Sequence, residues 1–393
     1  MSDIRKNIRN AVLLLVFAAL ACRPVPAGAE GTEGFVLPAS LEVIEEEAFA
    51  GTAVKNTELP ESLTTVGDGA FSNIPGLETV TVPATDHLTI SDSAFSGSGG
   101  VIIRGEEGSY AQEWADRNGL PFLPVGSDRP AALVIGQWHY ALPLGSQPGC
   151  FNDARAVRGM LGGLSNRFNT ALVTDLTADQ IRKAIRTAFS GAKDQDVSLL
   201  YYSGHGGDDD ATGKGALLGV DGSALPIADL AEILSGVKGR VIVILDSCYS
   251  GSAIAAKGAL RGGDPLDAFL KQVVSGFSGY TLSSGGIGKR SGELAVPKFI
   301  VLAAAAASEI SGETILDGYR CGIFTYSMLK GLGCVYPDGT YTGAMPADDG
   351  DLEVTLEEIY SYAYREANRI YSQQHGVYYG NGPEVLFSRK VIP

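Results

Sequence analysis

Val197-Ser198-Leu199-Leu200-Tyr201-Tyr202-Ser203-Gly204-His205-Gly206-Gly207 and Val241-Ile242-Val243-Ile244-Leu245-Asp246-Ser247-Cys248-Tyr249-Ser250-Gly251 decide the reading of this chain. Each is an apolar run that stops abruptly at small and polar residues, as a strand buried on both faces does. Between them Ile227 to Leu234 has helical spacing, and the same alternation continues on either side. Strands are expected at Ala131–Gly136, Ala171–Asp175, Val197–Tyr202, Val241–Leu245 and Lys298–Ala305. Helices are expected at Asn152–Leu164, Ala178–Phe189, Ile227–Leu234 and Leu356–Tyr371, with another opening at Gly322-Ile323-Phe324-Thr325, and Glu384–Ser388 is expected to close the sheet edge. Strands alternating with helices predict an α/β fold with a mostly parallel sheet covered on both faces. Ligand sites in such sheets lie beyond the carboxyl ends of the strands, which is where His205 and Cys248 fall. Glycines beside the histidine let a ligand approach the backbone, and a thiol beside an imidazole can be activated as thiolate. Either residue alone reads as a loop histidine or a buried free thiol. Together, at two strand ends, they read as a nucleophile and its acid/base partner.

On these residues the region from Ala131 to the C-terminus resembles the caspase-like cysteine peptidases, metacaspases in particular. Ser203-Gly204-His205-Gly206 matches the family's histidine motif and Asp246-Ser247-Cys248-Tyr249-Ser250-Gly251 its cysteine motif. The resemblance implies Cys248 as nucleophile, His205 as proton donor to the leaving amine, and an oxyanion hole from the backbone amides of Gly206 and Cys248. Amides fixed beside a thiolate would stabilise a tetrahedral oxyanion by a few kcal/mol. It also implies a P1 pocket from Cys150-Phe151-Asn152-Asp153, Ser203 and Asp246, that is, Cys150, Asp153, Ser203 and Asp246. Two carboxylates in one pocket favour Arg or Lys at P1 over Asp. Asp153 also reads as a cap or first-turn residue of the helix that follows it. Calcium-dependent relatives carry paired aspartates where this chain has only Asp229, so no cofactor is expected, and Asp208-Asp209-Asp210 reads as an exposed acidic loop. A clostripain-like peptidase, which shares the dyad and the basic P1 preference, is the enzymatic alternative.

Upstream the pattern changes to a repeat. Leu37-Pro38, Leu59-Pro60 and Val82-Pro83 recur in step with Ala48-Phe49, Ala70-Phe71 and Ala94-Phe95, a period of roughly 22–24 residues that marks a solenoid. Each unit offers one short strand and an Ala-Phe knob, which are buried only by stacking on neighbours. The pattern over 35–125 resembles the surface-antigen type of bacterial leucine-rich repeat, closed by a cap containing Tyr110, Trp114 and Phe122. Such an array serves as a spacer, or binds a protein or cell-wall partner, and a non-catalytic adhesin or scaffold is the alternative from another functional class.

The N-terminus reads as a targeting segment. Arg5, Lys6 and Arg9 precede an apolar run from Ala11 to Ala21, too short for the roughly 20 residues of a membrane span. Processing after Ala29 gives a signal peptide of 1–29; processing at Ala21-Cys22 leaves Cys22 for lipidation, the one route to a membrane anchor. Both predict an exported chain, in the cell envelope or outside the cell. The peptidase domain is expected at 129–393, with a large-subunit-like part to 255, a linker over 256–297 and a small-subunit-like part from 298. That linker holds Lys257, Arg261, Lys271, Lys289 and Arg290, targets for self-cleavage by a basic-specific peptidase. Over all 393 residues, 45 acidic against 30 basic side chains give a net charge of −15, which excludes nucleic acid as a partner. Five cysteines without a CxxC pair encode neither a disulfide scaffold nor a zinc ribbon, and Cys321 and Cys334 read as free thiols. His87, His139 and His375 have no evident partner and read as structural.

Overall fold

A computed structural model describes residues 34–164, 168–209, 214–249, 298–304, 311–351, 353–374, 376–379 and 385–388. The signal segment with Cys22, the 256–297 linker, Asp210 and His375 lie outside the described residues, as do the side chains of Asp208, Asp209 and Cys248. Phe35–Pro393 forms one compact unit.

The repeats come first. Strands β1 (Gly34–Val36), β2 (Val43–Ile44), β3 (Asn56–Glu58), β4 (Thr65–Val66), β5 (Thr79–Thr81), β6 (Thr89–Ile90) and β7 (Ile102–Gly105) lead to helix α1 (Tyr110–Arg117) and strand β8 (Phe122–Pro124). The expectation of one strand per unit is corrected. Two strand ladders run along the solenoid, β1-β3-β5-β7-β8 and β2-β4-β6, and the Ala-Phe segments bond coil to coil as well, the Phe49 N–H donating to the Ala70 carbonyl and the Phe71 N–H to the Ala94 carbonyl. Between the ladders the Ala-Phe knobs stack, Phe49 on Phe71 at 4.9 Å and Phe71 on Phe95 at 5.3 Å between ring centroids. Phe35 closes one end of this column edge-on, and Trp114 of α1 closes the other at 5.6 Å. The Trp114 indole N–H donates to the Ile90 carbonyl, so the buried ring leaves no donor unpaired.

The second half alternates β9 (Ala131–Gly136), α2 (Pro148–Leu164), β10 (Asn169–Thr174), α3 (Ala178–Ala188), β11 (Val197–Asp209), β12 (Lys214–Leu218), β13 (Ala224–Pro226), α4 (Ile227–Ser235) and β14 (Arg240–Tyr249). After the linker come β15 (Phe299–Ala303), the hairpin β16 (Glu313–Leu316) and β17 (Tyr319–Gly322), α5 (Ile323–Gly331), β18 (Cys334–Val335), β19 (Thr340–Tyr341), β20 (Glu353–Thr355), α6 (Leu356–Ile370), β21 (Val377–Tyr379) and β22 (Val385–Ser388). The main sheet runs β10-β9-β11-β14-β15-β21, parallel except for β21. β22 does not close its edge as expected: it pairs with β20 in a separate two-stranded sheet, and β21 takes the edge.

Period-two alternation splits the strand residues between two cores. Val134, Tyr201, Ile244 and Leu302 face α2, α5 and α6, while Ile135, Tyr202, Val243 and Val301 face α3 and α4. The second core also takes in Ile102 and Leu123 from the repeats, so the solenoid and the sheet share buried surface. Across the same junction Gln180 donates to the Gly99 carbonyl at 2.7 Å and Arg158 pairs with Asp116 at 2.9 Å. Among the described residues no helix is long and apolar enough to cross a membrane.

Candidate active site

β11 and β14 are parallel neighbours, and their register sets Ser203 opposite Asp246 and His205 opposite Cys248. Two motifs from distant parts of the chain thus end at one height on adjacent strands. Tyr201, Ser203 and His205 follow one another at period two, as do Ile244 and Asp246, so the polar residues continue the face that α2 and α5 cover.

Asp153 reaches this face from the first turns of α2. Gly136 makes the approach tight: a Cβ there would lie 2.6 Å from the Ala154 Cβ and 2.9 Å from the Cys150 carbonyl. The Asp153 carboxylate does not cap its own helix, the structural alternative raised for it. It accepts instead from the Gly322 N–H at 3.0 and 3.1 Å, the Tyr336 hydroxyl at 2.9 Å and the Ser203 hydroxyl at 3.1 Å. Asp246 accepts from Ser311 at 2.6 Å and from Thr325 through both its N–H, at 3.0 Å, and its hydroxyl, at 2.5 Å. Gly322 and Thr325 are the N-cap and third residue of α5, so both carboxylates meet the N-terminus of that helix, where unpaired amides and the helix dipole favour negative charge. Burial works the other way. Desolvation pushes Asp153 and Asp246 above the usual carboxylate range, and for Asp153 the neighbouring Asp246 charge adds to it.

Cys150, Asp153, Ser203, His205 and Asp246 line one small cavity of about 30 Å³, room for roughly one water. The Cys150 thiol is free, buried and held protonated by desolvation, which suits a wall and not a nucleophile. A larger cavity of about 710 Å³, lined by Arg186, Phe189, Lys193 and Lys238, lies at the opposite end of the sheet, beside the starts of β11 and β14. Size does not make it the site, since the motifs are at the other end.

Burial lowers the His205 pKa, so the imidazole is neutral near neutral pH, and the backbone of Leu144 and Gly145 hydrogen-bonds the ring in partial opposition. Tyr140 packs edge-on against it at 4.5 Å and its hydroxyl accepts from the His205 N–H at 2.7 Å. The Tyr202 hydroxyl lies 2.9 Å from the carbonyls of both His205 and Leu218, which share its one proton. The histidine is therefore held by two tyrosines and a loop backbone, none of them foreseen from sequence. Gly206 continues β11, opposite Tyr249 of β14 and Leu217 of β12.

Two histidine readings are corrected. His139 does have a partner, since its Nδ1 lies 2.5 Å from Asp175 Oδ2, and His87 Nε2 lies 3.0 Å from the Glu61 carbonyl. Asp229 is paired with Arg182 at 3.4 Å. Cys321 and Cys334 are buried free thiols. Among the described residues Asp348, Asp349 and Asp351 gather at the surface, where each already accepts from a nearby turn N–H. Glu313, Ser311 and Gly322 line the cavity too, and Thr325 and Tyr336 fix its carboxylates; all follow the linker in sequence and match no motif noted there. Only the start of α5 at Gly322 was legible.

Residues 129–345 match the caspase domain family model, and residues 29–101 match that of the BspA type leucine rich repeat region in six copies. The first match covers more than half of the chain, which therefore belongs to the caspase-domain family of cysteine-type peptidases, with a BspA-type repeat region ahead of that domain. The chain is similar to Metacaspase-1 of Eremothecium gossypii, 24% identical over 258 residues that make up 51% of this chain and 56% of that protein. Metacaspase-4 of Arabidopsis thaliana is 31% identical over 125 residues, 27% of this chain and 30% of that one. The chain thus spans 56% and 30% of the length of these two relatives. Among solved structures, Caspase-1 from Spodoptera frugiperda matches over 65% of this chain and 90% of its own at 14% identity and a TM-score of 0.43. A Geobacter sulfurreducens protein matches over 65% and 94% at 20% identity and 0.42.

Proposed function

We propose that this chain is an exported cysteine endopeptidase that hydrolyses peptide bonds after Arg or Lys, with Cys248 as nucleophile and His205 as its acid/base partner. The observation that carries the reading is the β11–β14 register, which pairs His205 with Cys248 and, two residues earlier, Ser203 with Asp246 beside Asp153. A P1 side chain entering between those carboxylates brings its carbonyl to the strand ends. The neutral imidazole takes the Cys248 proton; the thiolate sulfur attacks the carbonyl carbon, and the backbone amides of Gly206 and Cys248 receive the oxyanion. Collapse breaks the C–N bond as the imidazolium protonates the leaving amine. Water, deprotonated by the neutral imidazole, then hydrolyses the thioester, and the thiol is restored. These steps call for no metal, and the calcium-independent expectation rests on the single Asp229 where calcium-dependent relatives carry a pair.

Export rests on the basic segment and apolar run before residue 29, self-processing on the basic residues of the 256–297 linker, and a protein or cell-wall partner on the repeats. Turnover of Arg-, Lys- and Asp-P1 peptides by the mature chain, beside Cys248→Ala, tests the activity. Cleavage of the basic peptides, lost in the variant, is expected. No turnover of any peptide, with or without calcium, would leave the scaffold reading standing, and preference for Asp would overturn the acidic pocket. N-terminal sequencing and intact mass of the chain and its fragments test export, lipidation at Cys22 and linker cleavage.

A further inference from the structure

The two aspartates supply charge to the cavity but have little capacity left to bond a ligand. An ionised carboxylate offers about four lone-pair sites. Asp153 takes donors on both oxygens from Gly322, Tyr336 and Ser203, and Asp246 takes Ser311 and two groups of Thr325. A guanidinium or ammonium group presents several donors and needs acceptors, not only a field.

A third carboxylate stands in the cavity wall. Glu313 begins β16, directly across the hairpin from Gly322, and its side chain is 18% exposed. The Gly149 N–H at the start of α2 hydrogen-bonds it, and the Gln147 amide, turned to present its nitrogen, donates to it at 3.2 and 3.3 Å. Among the described residues its cationic partner is the Arg320 guanidinium, from the opposite strand of the same hairpin. The Nη1–Oε2 distance is 3.6 Å and the arginine is 48% exposed, a loose pair and not a locked fork.

We propose that Glu313 is the carboxylate that bonds the P1 cation at the pocket mouth, and that Arg320 is a built-in competitor which holds its place in the empty enzyme. This rests on the basic-P1 reading and adds a specificity residue and a resting-state contact to it. An entering P1 arginine exchanges one guanidinium for another at Glu313, while Arg320, already half in water, swings out at little cost. A bidentate fork suits the planar carboxylate better than a lysine ammonium does, so Glu313 tilts preference toward Arg.

Steady-state kinetics of the full mature chain on Arg-P1 and Lys-P1 peptides test this with Glu313→Gln, Arg320→Gln and the double variant. Gln keeps an acceptor for Gly149 and removes the charge. Glu313→Gln is expected to raise KM for the Arg-P1 peptide by roughly tenfold or more with kcat nearly unchanged, and to shrink the Arg:Lys preference. Arg320→Gln is expected to lower KM by about two- to fivefold in the parent and to have no effect on a Glu313→Gln background. Because Arg320 is exposed, its variant tests the idea even where Glu313→Gln melts early. An Arg320→Gln KM that is unchanged, raised, or shifted equally in both backgrounds overturns the competitor. An unchanged Arg:Lys ratio in a folded Glu313→Gln reduces Glu313 to an α2 cap. If the parent cleaves neither basic peptide, the failure is that of the basic-P1 reading on which this pair rests, and the Asp-P1 peptide then shows whether the peptidase reading fails with it.

Discussion

Gly322→Ala puts the geometry of the acidic pocket to a test whose sign is set by the site. At φ −68° and ψ 131° Gly322 has a backbone that alanine adopts freely. In open surroundings the change would stabilise by about 0.4–1 kcal/mol through the unfolded chain. Here the new methyl would lie 2.5 Å from Asp246 Oδ2, 2.8 Å from Asp153 Oδ2 and 3.1 Å from Asp246 Cγ. Neither carboxylate is a loose end, since Ser311 and Thr325 pin one while Ser203 and Tyr336 pin the other. Overpacking of this kind costs about 1–3 kcal/mol, and parting the Gly322 N–H from a buried carboxylate costs about 1.5–3 kcal/mol more. Set against the backbone gain, a net loss of about 1.5–5.5 kcal/mol is expected. Urea denaturation of the variant measures it, with KM on an Arg-P1 peptide expected to rise in parallel. Gly76→Ala is the control, because a Cβ there meets nothing within 4 Å and the φ is ordinary. A Gly322→Ala as stable as Gly76→Ala, with unchanged KM, would refute the claim that the carboxylates converge on this backbone.

Acidification should raise KM for basic P1 peptides, because the negative field that attracts the cation needs the aspartates ionised and burial has already moved their titration upward. In the empty enzyme the same raised values work oppositely: these groups contribute stability below the ordinary aspartate pKa and lose it as pH rises through the folded one, so stability and KM should both fall as pH rises, stability being lost while affinity for the basic peptide is gained. His205, with its pKa lowered, contributes stability above its ordinary value of about 6.5, and that contribution should fade as pH drops through the folded value; a flat difference between parent and His205→Gln melts across that range would contradict it. Tyr336→Phe removes one donor from buried Asp153 and is expected to cost about 1.5–3 kcal/mol in denaturant with a raised KM; loss of stability without a KM change would separate Tyr336 from the pocket. Ile102→Ala, in the repeats but fully buried in the core shared with α3 and α4, should cost about 2–5 kcal/mol and shift the melting of the peptidase domain, whereas independent domains would leave that transition where it was.

What could be read in the sequence follows from what is local. β9, β11, β14 and β15 are buried on both faces, so they appear as unbroken apolar runs, and the two motifs stand out because the polarity changes at one residue. The stacked phenylalanines were legible as a period. β22 was misassigned because a short apolar stretch such as Glu384–Ser388 says that it pairs but not with which strand. The second repeat ladder escaped for a related reason, being only two residues wide in each coil. The pocket was half legible. Ser203 and Asp246 each sit two residues before His205 and Cys248, and Asp153 stands out through the Cys150-Phe151-Asn152-Asp153 stretch by which the chain resembles the family. Tyr336 reaches Asp153 from 183 residues away and Thr325 reaches Asp246 from 79, distances over which no spacing rule survives.

Those long-range bonds also explain how two buried carboxylates are tolerated. Of the donors to Asp153 and Asp246 described above, all but Ser203 come from the chain beyond the 256–297 linker, while both acids come from the chain before it. The pocket is therefore the seam between the two halves of the domain, reinforced by the parallel pairing of β14 with β15 and by the core that α2 shares with α5 and α6. Leaving either acid without its partners would strand a buried charge, at a cost of several kcal/mol. Assembly of the second half on the first thus completes both the hydrogen bonding of the acids and the wall that carries Glu313. The half-domain up to 255 holds His205 and Cys248 but lacks the groups that keep its two buried acids satisfied, so folding of the domain and formation of the acidic cavity are one event. A cut within the linker would leave these bonds and the β14–β15 ladder in place, and the two pieces would stay together as a single folded unit.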